Sequence, residues 1–297
     1  MTVSRFAFLA LFLNLWTWLK AQALTKARHA LLKVLSAGPV PQHIAFVMDG
    51  NRRHARRHHK RIAEGHFDGF TALQRILEIC LKMNVRCVTA FAFALENFKR
   101  SEEEVEALMD LAEKKLGEMC QHGEMLDRYG VRLNILGRKE LLPPRVREAA
   151  RKAEEMTRHN DRAILNLCMP YGSRDDMTTA VQKTIQTFLE KGLSPRDITE
   201  EDIDAHMMTS LGGSPPVDVL IRSSGVKRLS DFLLWQCCDD TQIQFSSTYW
   251  PDFGLWDLIP VILDFQRKVW SKEAHKAKLS PFAFPGPGVA GLRDYRR

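Results

Sequence analysis

The chain has no pair of cysteines at C-x-x-C spacing, no N-x-S/T sequon, no G-x-x-x-x-G-K-[S/T] loop and no G-x-S-x-G elbow. Its six cysteines (Cys80, Cys87, Cys120, Cys168, Cys237, Cys238) are scattered, mostly inside apolar runs. They read as buried thiols of a reducing compartment, not as zinc ligands or a redox pair. The missing sequon removes the mark of a lumenal glycoprotein. The missing loop and elbow exclude P-loop nucleotide chemistry and the commonest serine-hydrolase frame. "GPGVAG" near the end fits G-x-G-x-x-G by letter, but it follows no strand, precedes no helix and contains proline. A dinucleotide site is excluded there. Asp175-Asp176 and Asp239-Asp240 both lack the third acid of a D-D-x-x-D metal cluster, which excludes helical trans-type prenyltransferases and class I terpene cyclases.

No apolar run is long enough to span a bilayer comfortably. The longest, Phe6 to Leu19, is interrupted by Asn14 and Thr17 and bracketed by Arg5 and Lys20, whereas a spanning helix needs about 20 residues. No small-residue cleavage site follows it, so it does not read as a signal peptide. Trp16 and Trp18 suit a membrane interface, and Lys20, Lys26, Arg28 and Lys33 suit anionic headgroups. Residues 1–38 are therefore expected to form a helix lying on a membrane surface. A helix packed on a partner protein is the alternative.

What is present is a globular composition, 45% apolar and 27% charged, with a net charge of +7. That charge favours anionic partners: nucleic acid, phosphorylated substrates or acidic headgroups. After the Pro/Gly break at 36–43, apolar strand-length runs (43–48, 86–93, 131–137, 163–169, 217–222, 241–245) alternate with helical stretches. The helices are expected at 63–83, at 101–129 behind a Ser101/Glu104 capping box, at 143–158 with proline in the first turn, from Ser173 as cap to 190, and at 255–270. The alternation predicts an α/β fold: a six-stranded, mostly parallel sheet flanked by helices over residues 39–278. The Pro/Gly-rich tail, 279–297, is expected to be loosely ordered.

In such sheets ligands bind beyond the carboxyl ends of the strands. The first strand ends in Asp49-Gly50-Asn51-Arg52-Arg53, the second in Glu96-Asn97-Phe98-Lys99-Arg100, and the fifth in Arg222-Ser223-Ser224-Gly225 with Arg228 and Ser230 shortly after. Asp49 could simply cap the next helix. With Arg52 and Arg53 adjacent it reads better as a carboxylate for Mg²⁺, beside arginine forks for phosphate oxygens and a glycine that lets backbone N–H groups approach. Arginines with small or amide donors at three strand ends suit two phosphate-bearing ligands better than a nucleic-acid patch. The basic run Arg56 to Arg61 is assigned no chemistry, and a lone His66 is by default structural.

Together the segments "HIAFVMDGNRRHAR", "EGH", "FALENFKRS", "EVEALMDLA", "LNLCMPYGSRDD", "PPVDVLIRSSG", "RLSDFLLWQ" and "YWPDF" resemble the cis-prenyltransferase family, in family order from about residue 40 to 270. The resemblance is greatest to its fungal or animal dolichol-type subunit. It implies that Asp49 holds Mg²⁺ and the allylic diphosphate, with Gly50, Asn51, Arg52 and Arg53 around the same phosphates and His66 nearby. Asn97 and Arg100 would assist at the reacting centre, and Arg100, Arg222, Arg228 and Ser230 would serve the isopentenyl diphosphate. The growing chain needs a tunnel, expected along the second and third strands and the helix at 101–129. A peripheral location on the cytosolic face of the endoplasmic reticulum membrane is implied too.

Departures from the family pattern are Ala94 for a serine, Ile62 for a bacterial arginine, Val226 for a glutamate, and "RSSG" for "RTSG". No R-x-G closes the chain, although self-sufficient members carry one. A heteromer with a non-catalytic R-x-G-bearing subunit is therefore expected. Two rivals remain within the family: a diverged paralogue making short or cyclic products, and a non-catalytic subunit. Nucleic-acid binding ranks last.

Overall fold

The computed structural model describes residues 3–122 and 124–279. Its strands are β1 His43–Val47, β2 Cys87–Phe91, β3 Val131–Leu136, β4 Ala163–Cys168, β5 Val219–Arg222 and β6 Gln242–Phe245. They form one sheet in the order β3-β4-β2-β1-β5-β6, and every pairing is parallel. The helices are α1 Val3–Leu35, α2 Asn51–Arg57, α3 Ile62–Lys82, α4 Glu102–His122, α5 Glu124–Arg128, α6 Pro144–Thr157, α7 Ser173–Glu190, α8 Glu200–Asp204, α9 Met208–Leu211 and α10 Leu255–Leu279. The expected tail lies outside the described residues from 280 onward.

Strand position explains strand composition. Central β1 (HIAFV) is buried at every residue, as a strand covered by helices on both faces must be. Edge strand β6 alternates half-buried and exposed residues and leaves Ile243 and Phe245 to solvent. From β1 the chain builds outward through β2 to β3 at the edge, inserts β4 between them, then returns to add β5 and β6 on the other side. The order therefore reverses at β1, and the crevice beyond β1 and β5 is where such sheets take ligands.

The C-terminal end of α1 joins the main core through Leu32 and Leu35, and the Gln266 amide on α10 donates to the Leu35 carbonyl at 2.7 Å. Further out, Trp16, Trp18, Leu19 and Leu24 are exposed. No described helix is long and apolar enough to cross a membrane. One expected cap differs. Gly172, not Ser173, caps α7, and the Ser173 hydroxyl instead accepts from the Leu234 N–H at 2.8 Å. Of the five cysteines described as free, Cys238 is exposed and the other four are buried; burial pushes Cys80 and Cys87 up to about 12.

A polar seam crosses the sheet. His43 on β1 bonds Thr89 on β2 through Nε2 at 2.7 Å, and the Asn166 amide on β4 donates to the same hydroxyl at 2.8 Å. Asn134 on β3 donates to Asn166 Oδ1 at 2.9 Å. Burial, opposed by the Pro215 carbonyl at the other ring nitrogen, lowers His43 to about 4. Its folded pKa lies below the unfolded value of about 6.5, so the unfolded chain binds the proton first. The stability His43 contributes is full above about pH 6.5 and is lost as pH falls toward 4. We expect up to about 3 kcal/mol lost over that window. His43→Gln should flatten this part of a pH series of urea melts, and an unchanged slope would refute the assignment.

Candidate active site

Register brings the first two groups together. Val47 on β1 pairs with Arg222 on β5, so Asp49 and the Arg222 guanidinium arrive at the same end of adjacent strands. Arg222 Nη2 donates to Asp49 Oδ2 at 2.9 Å, while its Nη1 donates to the Arg228 carbonyl and the Ser230 hydroxyl, each at 2.7 Å. The Arg222 side chain is only 5% exposed. One buried fork thus joins the ends of β1 and β5. Arg53 Nη2 lies 3.3 Å from Asp49 Oδ1, donates to Ser224 Oγ at 2.6 Å, and sits over the Tyr249 ring. Burial opposes ionisation of Asp49, but the Arg222 and Ser224 hydrogen bonds and the charges of Arg222 and Arg53 outweigh it and hold the carboxyl below its usual value. Asp49 is therefore a carboxylate at neutral pH, tied rather than bare.

The backbone around these groups is specialised. Gly50 has φ +109°, and a Cβ there would stand 2.9 Å from the Tyr249 ring and 3.1 Å from its Cα. Only glycine turns the chain from β1 into α2 so close to Tyr249. Beyond β5, Ser224, Ser230, Asp231 and Leu233 all take positive φ, an arrangement costing on the order of 1 kcal/mol each and held in place by surrounding contacts. The Arg222 bonds to Arg228 and Ser230 are among those contacts. Arg228 enters this cluster through its carbonyl; its side chain is exposed.

A second cluster forms on Glu104. Its Oε1 accepts from Arg100 Nη1 at 2.8 Å and lies 3.5 Å from His66 Nε2, and its Oε2 lies 3.6 Å from Arg52 Nη1. Arg52, expected with the allylic phosphates, and Arg100, expected on the isopentenyl side, thus meet on one acid. Burial and then the Arg100 charge push the His66 imidazole down, against Glu104, so it is neutral at physiological pH. Glu104 was legible only as half of a capping box. Its N–H does meet Ser101 Oγ at 3.4 Å, but its carboxylate serves this cluster. Asn97 joins neither group: its Oδ1 accepts from the Ala94 N–H at 3.0 Å and fixes the 3-10 turn Leu95–Lys99.

An apolar cavity of about 720 Å³, mouth included, opens between α3 and α4. Asn51 and His66 form much of its polar wall; Phe70, Leu73, Leu108, Leu116, Leu167 and Trp250 are among its apolar lining. The expected tunnel beside the helix at 101–129 is there, with a correction to its strands. Residues at the ends of β1, β2 and β4 line it, and none from β3 does, because β3 is displaced to the sheet edge behind β4. Asn51 Oδ1 is buried without a hydrogen-bond partner, an unsatisfied acceptor at a cavity wall.

A prenyltransferase family model described as "Putative undecaprenyl diphosphate synthase" matches residues 47–271. A dehydrodolichyl diphosphate synthase complex subunit of Schizosaccharomyces pombe is 46% identical, over 80% of this chain and 89% of that protein. A human dehydrodolichyl diphosphate synthase complex subunit is 39% identical, over 84% and 74%. Among solved structures, lavandulyl diphosphate synthase from Lavandula x intermedia, in complex with dimethylallyl diphosphate, superposes with a TM-score of 0.71 at 32% identity, covering 76% of this chain and 95% of that one.

Proposed function

From the premise that this chain belongs to the undecaprenyl diphosphate synthase family of prenyltransferases, we propose that it is the catalytic subunit of a dolichol-type cis-prenyltransferase. It condenses isopentenyl diphosphate with an allylic primer, farnesyl or geranylgeranyl diphosphate, to a Z-polyprenyl diphosphate. The observation that carries this reading is the Asp49–Arg222–Ser230 chain at the end of β1 and β5, with an apolar cavity walled by the neighbouring Asn51. Diphosphate-binding chemistry and hydrocarbon-binding space lie side by side. A subunit released from catalysis has no need of that combination.

The donor set fits Mg²⁺. Asp49 is ionised and 30% exposed, and its contact to Arg53 is the looser one at 3.3 Å. Hard oxygen donors, few in number and completed by phosphates, are what this cation takes. Bound there by Asp49, it supplies neutralisation of the departing diphosphate. Arg53 and Arg52 hold the allylic phosphates by their forks. Arg222 and Ser230 orient the isopentenyl phosphates, and His66 stays neutral beside the reacting carbons. The allylic C–O bond breaks to release diphosphate, its carbon bonds to the isopentenyl alkene terminus, and the released diphosphate takes a proton from that unit to give the Z double bond. The arginines stabilise the negative charge that develops on the leaving oxygen.

The heteromer is supported by the two dehydrodolichyl relatives being named complex subunits and by the exposed Ile243 and Phe245 on edge strand β6. Peripheral attachment to the cytosolic face of the endoplasmic reticulum is supported by exposed Trp16, Trp18, Leu19 and Leu24 on α1. The test is label transfer from isopentenyl diphosphate into long apolar product, with farnesyl diphosphate and Mg²⁺, with and without an R-x-G subunit. Product only with the subunit supports the whole reading. No incorporation under any condition, with no diphosphate released, sinks the catalytic assignment.

Cavity length should set product length. Ala112 lines the cavity from α4, and Ala112→Phe adds an aromatic ring to open space. Chromatography should show the product distribution shifted to shorter chains with initial rates within about threefold of wild type. An unchanged distribution would mean that the chain grows elsewhere.

A further inference from the structure

At the C-terminal end of α2, two histidines and an acid converge. His54 and His58 stand one turn apart, with ring centroids 4.4 Å apart, and Asp252 faces them from the 3-10 turn Trp250–Asp252. One ligand atom from each residue lies within 4.8 Å of the others. We propose that His54, His58 and Asp252 form a binding site for a d-block divalent cation, with zinc as its natural occupant, separate from the site at Asp49.

Four observations carry this. His54 Nε2 and Asp252 Oδ1 are 3.2 Å apart. Two atoms bonded tetrahedrally to zinc at about 2.0–2.1 Å are about 3.3 Å apart, so this pair already sits at ligand spacing. The His54 side chain is only 7% exposed, and its other ring nitrogen, Nδ1, has no hydrogen-bond partner. That nitrogen is 3.9 Å from Asp68 Oδ2, a carboxylate anchored by Lys60 Nζ at 2.6 Å. A histidine that ligates through one nitrogen usually turns its other N–H to a carboxylate, and a small rotation of the His54 ring completes that contact. Finally, His58 is exposed at the C-cap of α2, and its ligand atom already lies within 4.8 Å of those of His54 and Asp252. Two imidazoles with one carboxylate select zinc, nickel or copper over magnesium.

The site joins α2 to the segment carrying Tyr249 and Trp250. Tyr249 stacks on Arg53, and the Trp250 N–H holds the Asp49 carbonyl at 3.0 Å. A bound cation would therefore brace the turn that presents the phosphate-binding residues. The competing structure is an ordinary polar contact between His54 and Asp252 that holds no metal.

The experiment uses untagged full-length protein stripped with chelator, dialysed against zinc at micromolar free concentration, with bound metal counted. One equivalent is expected, with a raised melting temperature. His58→Ala and Asp252→Asn change exposed residues and leave the core intact; each should weaken zinc binding by about 10- to 100-fold. Asp49→Ala should retain it. Cobalt in place of zinc should give d–d absorption without a thiolate charge-transfer band. Retained zinc in both His58→Ala and Asp252→Asn, or a thiolate band implicating exposed Cys238, would overturn the site. So would the absence of any stoichiometric binding, which leaves the metal-free contact.

Discussion

Asp49→Ala is expected to lower the rate of isoprenoid condensation by about 10³-fold, the magnitude typical of removing a central electrostatic group from a preorganised site. The expectation has a second, less obvious half. Asp49 occupies one arm of Arg222 and lies against Arg53, so on the proposed reading it competes with substrate phosphates for those guanidinium groups. Its removal frees Arg222 Nη2 and lifts the 3.3 Å contact from Arg53, whose Nη2 keeps its bond to Ser224. The allylic diphosphate should therefore bind as tightly as before or more tightly, while turnover collapses. A fall in kcat with KM unchanged or lowered separates loss of cation-assisted departure from mere loss of binding. Steady-state kinetics with radiolabelled isopentenyl diphosphate decide it. A variant within tenfold of wild type would remove Asp49 from the chemistry, and a raised KM at constant kcat would reduce it to a binding group.

Trp250→Ala should cost about 3–5 kcal/mol of folding stability, the range for deleting a large buried aromatic. Trp250 is 1% exposed, stacks on Phe253 at 5.7 Å, tilts against Phe46 at 5.5 Å, and its indole N–H donates to the Gly69 carbonyl at 2.8 Å. It thus ties β1, α3 and the turn before α10 into one body and also walls the cavity. Urea denaturation measures the loss directly. Trp250→Phe, which keeps a ring but loses the N–H, should fall between the two proteins. A loss below about 1.5 kcal/mol for the alanine variant would show that the cavity wall collapses around the gap.

The strand ends carrying Asp49, Arg222 and Ser230 were legible because apolar runs stop abruptly at acids and arginines, and parallel sheets present such ends together. Pairing was not legible. That Asp49 meets Arg222 depends on β5 lying beside β1, a neighbour relation between segments some 170 residues apart in the chain. The tunnel wall was misassigned to β3 for the same reason: sequence order places β3 after β2, whereas the sheet inserts β4 between them. Glu104 was hidden behind a local pattern. Ser101 three residues earlier gives it a capping explanation, and nothing in the letters says that its carboxylate would be claimed by Arg100 and His66 instead. His58 fell within a basic run, Arg56 to Arg61, that reads as a solvated face, and His54 just before it carried no signal of its own. Only the return of the chain at Asp252 gives them company.

The seam of His43, Thr89, Asn166 and Asn134 has a consequence for how the chain finds its fold. Parallel strands joined by long crossovers pair late and through distant contacts, and apolar strands such as β1 and β2 offer little to distinguish one alignment from the next. A slip of one residue between β1 and β2 would send Thr89 to the opposite face. His43 and Asn166 would then each lose the hydroxyl they share, orphaning buried polar groups at about 1–3 kcal/mol each. The seam therefore works as a proofreading key. It makes near-miss alignments unstable enough to come apart and try again.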